Sequence, residues 1–350
     1  MKTTRFLTAE KGCVWMKGGA DDFVFQGRLK ACPTKTRSRT LPALREVALL
    51  LCLSISAVAQ PLKRPRILGV AHVALGVTDL DKSRDFYKGL LGFEEPFGVT
   101  NPNGSVRLIF LKINDRQFLE LFPRIKPGTD RLLHVALETD DAKAMRNYLA
   151  ARGIKVPPEV RKGRTGNWNF IIDDPDGHAV EIMQYAPGSE AVQTKGRHLG
   201  AKRVSARLMH VGILSGNVER SMGFYRDLLG FQETWRGSSS GKELSWINLK
   251  VPDGEDYIEL MLYRDMPALG ARGSEHHVCL EVPDVSKAVA ALEANPYRKT
   301  YARAIEQRVG TNRKQQVNLF DPDGTRVELM EPKTIDGQPA PSSKAPPPRG

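Results

Sequence analysis

The stretch His72-Val73-Ala74-Leu75-Gly76-Val77-Thr78-Asp79-Leu80-Asp81-Lys82-Ser83-Arg84-Asp85-Phe86-Tyr87-Lys88-Gly89-Leu90-Leu91-Gly92-Phe93 decides the fold. Its opening is apolar, rich in small and β-branched residues, and carries one histidine, so it reads as a strand. Thr78 or Asp79 can cap a following helix, on which Phe86, Tyr87, Leu90 and Leu91 share one face before Gly92 stops it. The same text returns 138 positions later as His210-Val211, followed by Ser221-Met222-Gly223-Phe224-Tyr225-Arg226-Asp227-Leu228-Leu229-Gly230-Phe231. A histidine recurring at one strand position within a repeat implies a duplicated structural unit.

Working outward, the pattern of strand, helix and several short strands occurs four times. The first unit runs from Leu68 to about Pro123 and ends in the strand Gln117-Phe118-Leu119-Glu120-Leu121-Phe122. The second opens with Leu133-His134-Val135-Ala136-Leu137-Glu138, has its helix near 142–151 and closes with Ala179-Val180-Glu181-Ile182-Met183. The third spans 207–263; the fourth opens with His277-Val278-Cys279-Leu280-Glu281 and closes with Arg326-Val327-Glu328-Leu329-Met330. Asp174-Pro175-Asp176-Gly177 and Asp321-Pro322-Asp323-Gly324 precede the two closing strands, with proline fixing φ and glycine supplying a positive φ. The predicted class is α+β: four βαβββ modules paired into two domains, each a curved sheet around a concave face. The predicted boundaries are 68–186 and 207–332. A linker without periodicity lies between them at 187–206, and a Pro- and Ser-rich tail expected to be disordered follows at 333–350.

A chain of 350 residues with 41% hydrophobic content supports two cores and excludes general disorder. The net charge of +12 suggests a polyanion until it is divided along the chain. Residues 1–59 hold ten basic and four acidic residues, leaving 42 against 36 for the rest, with the two signs interspersed. That is a solvated surface rather than a nucleic-acid footprint. Within this leader, residues 47–59 are mostly apolar but too short to span a bilayer comfortably. Arg45 precedes them and Ala57-Val58-Ala59 ends them, which resembles a secretory signal cleaved before Gln60. The expectation is a secreted or periplasmic protein with no stable membrane anchor once the signal is removed. Cys13, Cys32 and Cys52 lie in that leader, so the remainder keeps only Cys279, expected as an inert core residue.

Each pair of units carries His, Glu, His, Glu at strand positions: His72, Glu120, His134 and Glu181, then His210, Glu259, His277 and Glu328. The intervals are 48, 14 and 47 residues against 49, 18 and 51. A carboxylate amid Phe-Leu-Glu-Leu-Phe costs several kcal/mol if buried without a partner. Alternation sets Glu120 on the face of Phe118 and Phe122, and Glu259 on that of Tyr257 and Met261. Two imidazoles and two carboxylates form an ordinary ligand set for a divalent metal such as Zn, Ni, Fe or Mn. A single such residue is ordinarily structural; eight in matched register are not. One live and one vestigial site is the milder alternative. His178, His198 and His276 fall in a turn, in the linker and on the opposite strand face.

The His-Val openings, the Phe-Tyr-x-x-Leu-Leu-Gly-Phe helix ends, the Asp-Pro-Asp-Gly turns and the closing Glu181 and Glu328 resemble a tandem member of the vicinal oxygen chelate superfamily. This is the group of glyoxalases, bleomycin-resistance proteins and extradiol dioxygenases. The resemblance implies a metal-dependent enzyme acting on a small oxygen-chelating substrate. Its His-Glu-His-Glu set is similar to that of glyoxalase I, which implies a lyase or isomerase with Glu120 or Glu181, and Glu259 or Glu328, moving the proton. No set of arginines for the carboxylates of glutathione is evident. The alternatives are an Fe(II) extradiol-type dioxygenase using His210, His277 and Glu328, and a non-catalytic binder with Phe118, Trp168, Trp235 and Trp246 lining its clefts. The expected partner is a small molecule, and pairing of units between chains would give a homodimer.

Overall fold

The structure is a computed structural model that describes residues 62–126 and 128–348. The leader, with its signal-like segment and three cysteines, lies outside the described residues. No helix of the described residues is long and apolar enough to cross a membrane.

The first half begins with β1 (Ile67–Val77), and Asp79 then caps the helix by accepting from the backbone N–H groups of Asp81 and Lys82. Helix α1 (Leu80–Arg84) widens into a π turn over Asp85–Leu90, where Leu91 N–H reaches Phe86 O at 2.9 Å. Gly92 then takes φ +77°, the left-handed conformation that releases the chain into the next strand. There follow β2 (Glu94–Thr100), β3 (Val106–Lys112), β4 (Phe118–Pro123), β5 (Leu132–Thr139), α2 (Ala142–Ala150), β6 (Arg161–Lys162), β7 (Trp168–Asp173) and β8 (Ala179–Gln184). The second half repeats this as β9 (Arg207–Ser215), α4 (Val218–Met222, widened over Gly223–Leu228), β10 (Gln232–Gly237), β11 (Trp246–Lys250), β12 (Tyr257–Leu262), β13 (His277–Glu281), α5 (Val285–Glu293), β14 (Gln307–Val309), β15 (Lys314–Phe320) and β16 (Arg326–Thr334). Between the halves lies α3 (Glu190–Gln193).

The strands form two eight-stranded sheets of identical order, β2-β3-β4-β1-β5-β8-β7-β6 and β10-β11-β12-β9-β13-β16-β15-β14. Each sheet joins two βαβββ modules through the antiparallel pair of their first strands, β1 with β5 and β9 with β13. The two central strands of each sheet therefore carry the histidines, and the strands flanking them carry the glutamates. Buried apolar residues from both sheets join in one core, with Val73, Leu75, Phe86 and Tyr87 of the first half beside Val211, Ile213, Phe224 and Tyr225 of the second.

The two Asp-Pro-Asp-Gly turns lock the halves together. Tyr87 donates to Asp321 at 3.1 Å, and its counterpart Tyr225 donates to Asp174 at 3.0 Å. Each turn's second aspartate also accepts from a backbone N–H of the other half, Thr78 to Asp323 and Gly216 to Asp176.

The linker and the tail are both held by specific contacts, the tail against the expectation of disorder. The linker is pinned by the buried Lys112, whose ammonium donates to the carbonyls of Thr194 and Arg197. The tail lies along β10, where Trp235 Nε1 donates to Pro341 O at 3.1 Å and Ser343 N–H to Arg236 O at 2.9 Å.

Candidate functional site

Register explains why four side chains meet in each sheet. In the first, Ala74 on β1 stands opposite both Glu120 on β4 and His134 on β5, while Ala136 on β5 stands opposite both His72 and Glu181. Alternation turns all four ligand candidates to the concave face, and the two alanines leave room between them. His72 Nε2 lies 3.0 Å from His134 Nε2, 3.5 Å from Glu120 Oε2 and 3.3 Å from Glu181 Oε2. His134 Nε2 lies 3.1 Å from each of the same two oxygens. Donor atoms about 2.1 Å from a common ion stand roughly 3.0–3.4 Å apart, so the spacing is that of a ligand shell. Glu120 Oε2 is buried without a hydrogen bond, as expected of a lone pair aimed at a shared centre rather than at a neighbour.

The electrostatics follow from the same crowding. Burial opposes charge on His134, but the Glu120 and Glu181 carboxylates push its imidazole up from 6.5 to about 9. Burial likewise opposes ionisation of Glu181, yet His134 and His72 hold its carboxyl well below the usual carboxylate range. The cluster opens into a cavity of about 440 Å³ walled by Phe97, Phe110 and Phe118. Arg107, Arg161, Lys162 and Arg164 also line it, and none of the four makes an ion pair among the described residues. This is the basic set that was not evident in the sequence. It comes from strands and a loop far apart in the chain, which only the curvature of the sheet brings together. Trp168 is exposed and does not line this cavity.

The second sheet brings the matching four together in a different state. His210 Nε2 lies 2.9 Å from His277 Nε2, but the carboxylates stand back, Glu259 at 3.9 and 3.3 Å from the two rings and Glu328 at 3.5 and 3.8 Å. Tyr257 stacks on His210, and Trp235 and Trp246 line a smaller cavity of about 210 Å³. Two residues have no equivalent in the first half. Arg326, where the first half has Ala179, brings Nη2 to 2.6 Å from His277 Nδ1. Cys279, where the first half has Ala136, is fully buried as expected, but its thiol joins His210 and Glu328 in a ligand-like group. Burial lowers both imidazoles well below 6.5, Arg326 adding to the effect at His277. Burial also pushes Glu328 up to about 7, against the pull of Arg326.

The remaining histidines serve the frame. His178 contacts Asp174 within its turn, the buried His276 just ahead of β13 meets Asp130, and His198 meets Glu94.

The profile of the Glyoxalase/Bleomycin resistance protein/Dioxygenase superfamily matches residues 69–182 and 207–329, one match per sheet. Metapyrocatechase 2 of Cupriavidus necator is 27% identical over 244 residues, covering 65% of this chain and 70% of its own. A lactoylglutathione lyase of Neisseria meningitidis is 30% identical over 130 residues, covering 35% of this chain and 94% of its own. The Mn(II)-bound glyoxalase from Novosphingobium aromaticivorans superposes with a TM-score of 0.60 at 20% identity, over 81% of this chain and 89% of its own. Two profile matches, each coinciding with one sheet and its four converging side chains, place the chain in the glyoxalase/bleomycin resistance protein/dioxygenase superfamily.

Proposed function

We propose that the protein is a metal-dependent lyase or isomerase of the glyoxalase kind, working at the first sheet. His72, Glu120, His134 and Glu181 would hold a divalent ion, Zn, Ni, Fe or Mn, and the substrate would be a small molecule offering two neighbouring oxygens. The observation that carries this reading is the convergence of two ring nitrogens and two carboxylate oxygens, 3.0–3.5 Å apart, at the floor of an open cavity. The bound ion supplies Lewis-acid polarisation of a substrate oxygen. The chain's own groups do the rest. Of the two carboxylates, Glu120 would let go of the ion, take the proton from the carbon beside the polarised carbonyl and return it to the adjacent carbon. No external oxidant is consumed. Phe97, Phe110 and Phe118 offer an apolar wall to the substrate's carbon skeleton. The four basic residues at the cavity offer charge to an anionic part of the substrate.

The test is metal analysis of the purified protein, followed by solvent-deuterium exchange at the α-carbon of methylglyoxal adducts with small thiols. Exchange lost in Glu120→Gln with the fold intact supports the assignment. A metal-loaded protein that exchanges none of these adducts overturns it.

One observation favours a second reading, an Fe(II) extradiol-type dioxygenase: the alignment with metapyrocatechase runs through both halves. That chemistry would use His210, His277 and Glu328. Oxygen uptake with catechols would promote it. The Arg326 contact on His277 speaks against an open triad there.

A further inference from the structure

We propose that the second cluster is a thiolate site: it takes a thiophilic divalent ion, of the Zn(II) or Co(II) class, through His210, Cys279 and Glu328. Arg326 keeps His277 out of the ligand set. The inference concerns the second sheet alone and does not depend on the reaction proposed for the first.

The register carries the first part of the argument. Cys279 on β13 is the direct cross-strand partner of His210 on one side and of Glu328 on the other. Its side chain therefore projects to the concave face with His277, two residues before it. The donor atoms of His210, Cys279 and Glu328 all lie within 4.8 Å of one another, and all three residues are buried. His210 has Nδ1 buried without a hydrogen bond. The equivalent position in the first sheet is Ala136, so that centre has no thiol to offer.

The second part comes from Arg326. A guanidinium only donates, and Arg326 Nη2 stands 2.6 Å from His277 Nδ1. Nδ1 must then accept, which puts the imidazole proton on Nε2, the nitrogen that faces His210 and Glu259. A protonated nitrogen cannot bind a metal. The carbonyl of Glu275, 3.1 Å from the same Nδ1, would ask for the opposite tautomer. The shorter and charge-assisted contact decides against it, and Arg326 also donates to that carbonyl at 3.4 Å. With His277 engaged, one imidazole, one thiolate and one carboxylate remain, with Glu259 close by. That donor set suits zinc and its spectroscopic substitute cobalt. Binding releases the thiol proton to solvent.

The experiment uses the full chain with Cys13, Cys32 and Cys52 replaced by serine, stripped of metal and titrated with Co(II). The expected result is two cobalt ions per chain and a near-ultraviolet thiolate-to-cobalt charge-transfer band from the second equivalent. Cys279→Ser removes the band, whereas His277→Gln and the first-sheet variant Glu181→Gln keep it. A cobalt-saturated chain without the band overturns the proposal, whether one ion binds or two. So does a band that disappears in His277→Gln. The spectrum of the unsubstituted second site decides the matter even where a variant fails to fold.

Discussion

Replacing Tyr87 by phenylalanine tests the lock between the halves. The ring of Tyr87 is fully buried in the shared core and stays in the variant, so only the hydroxyl and its 3.1 Å bond to Asp321 are removed. Burial, with Asp323 adding to it, pushes the Asp321 carboxyl from 3.8 up to about 6, against the pull of the Thr325 N–H and the Tyr87 hydroxyl. The sign follows from proton counting. Between pH 4 and 6 the folded chain binds a proton at Asp321 that the unfolded chain has released, so stability falls as pH rises through that window. At one pKa unit per 1.4 kcal/mol this group alone contributes a decline on the order of 3 kcal/mol. Above pH 6 the lost bond is one to a carboxylate, worth about 1.5–3 kcal/mol; below pH 5 it is one to a neutral carboxyl, worth about 0.5–1.5 kcal/mol. Thermal unfolding of Tyr87→Phe should therefore show a larger loss at pH 8 than at pH 4.5. At about 2.1 cal/mol/K per residue, about 2 kcal/mol corresponds to roughly 3 °C in Tm for a chain of this size. An equal loss at both pH values, or none at pH 8, would refute the reasoning.

Four further outcomes are expected. Glu181→Gln should weaken metal binding by more than the roughly 10–100-fold typical of losing an outer-shell partner, read by competition with a chromophoric chelator. Because His134 is raised to about 9 in the metal-free protein, metal uptake at pH 7 must displace its proton. Affinity should therefore climb with pH and level off above 9, and calorimetry in buffers of different ionisation enthalpy should register the proton released. Gly212→Ala should cost about 1–3 kcal/mol, read by thermal unfolding, because the added methyl would fall inside the His277 ring. Ala74→Gly, the reverse change at the matching place in the first sheet, should cost no more than about 1 kcal/mol.

Much of this was legible in the sequence, because period-two alternation fixes a side chain's face once its strand is known. The four His and four Glu positions follow from the matched register of the repeats, and the His-Val-x-Leu-Glu register singles out His277 over His276, whose side chain alternation turns the other way. Arg326 and Cys279 obey it too, each two residues from a ligand candidate, but a cation in a strand reads as solvated and a cysteine among apolar residues reads as core. The rim of Arg107 and Arg161 could not be found this way, since nothing local links residues on β3 and β6. The packed tail has no periodicity of its own; its order comes from hydrogen bonds to Trp235 and Arg236 on β10. The π widening of α1 is likewise a tertiary matter, for it turns Phe86 and Tyr87 together toward a core that the other half completes.

The common core has a practical corollary for dissecting the two centres. Cutting the chain at its midpoint would strip Val73, Leu75, Val211 and Ile213 of their opposing layer and leave Tyr87 and Tyr225 without acceptors. Either fragment would present a wet, greasy back and would be expected to clump or re-pair with a second copy. Assigning an ion to one centre therefore calls for silencing the other by point substitution in the intact polypeptide, not for scissors.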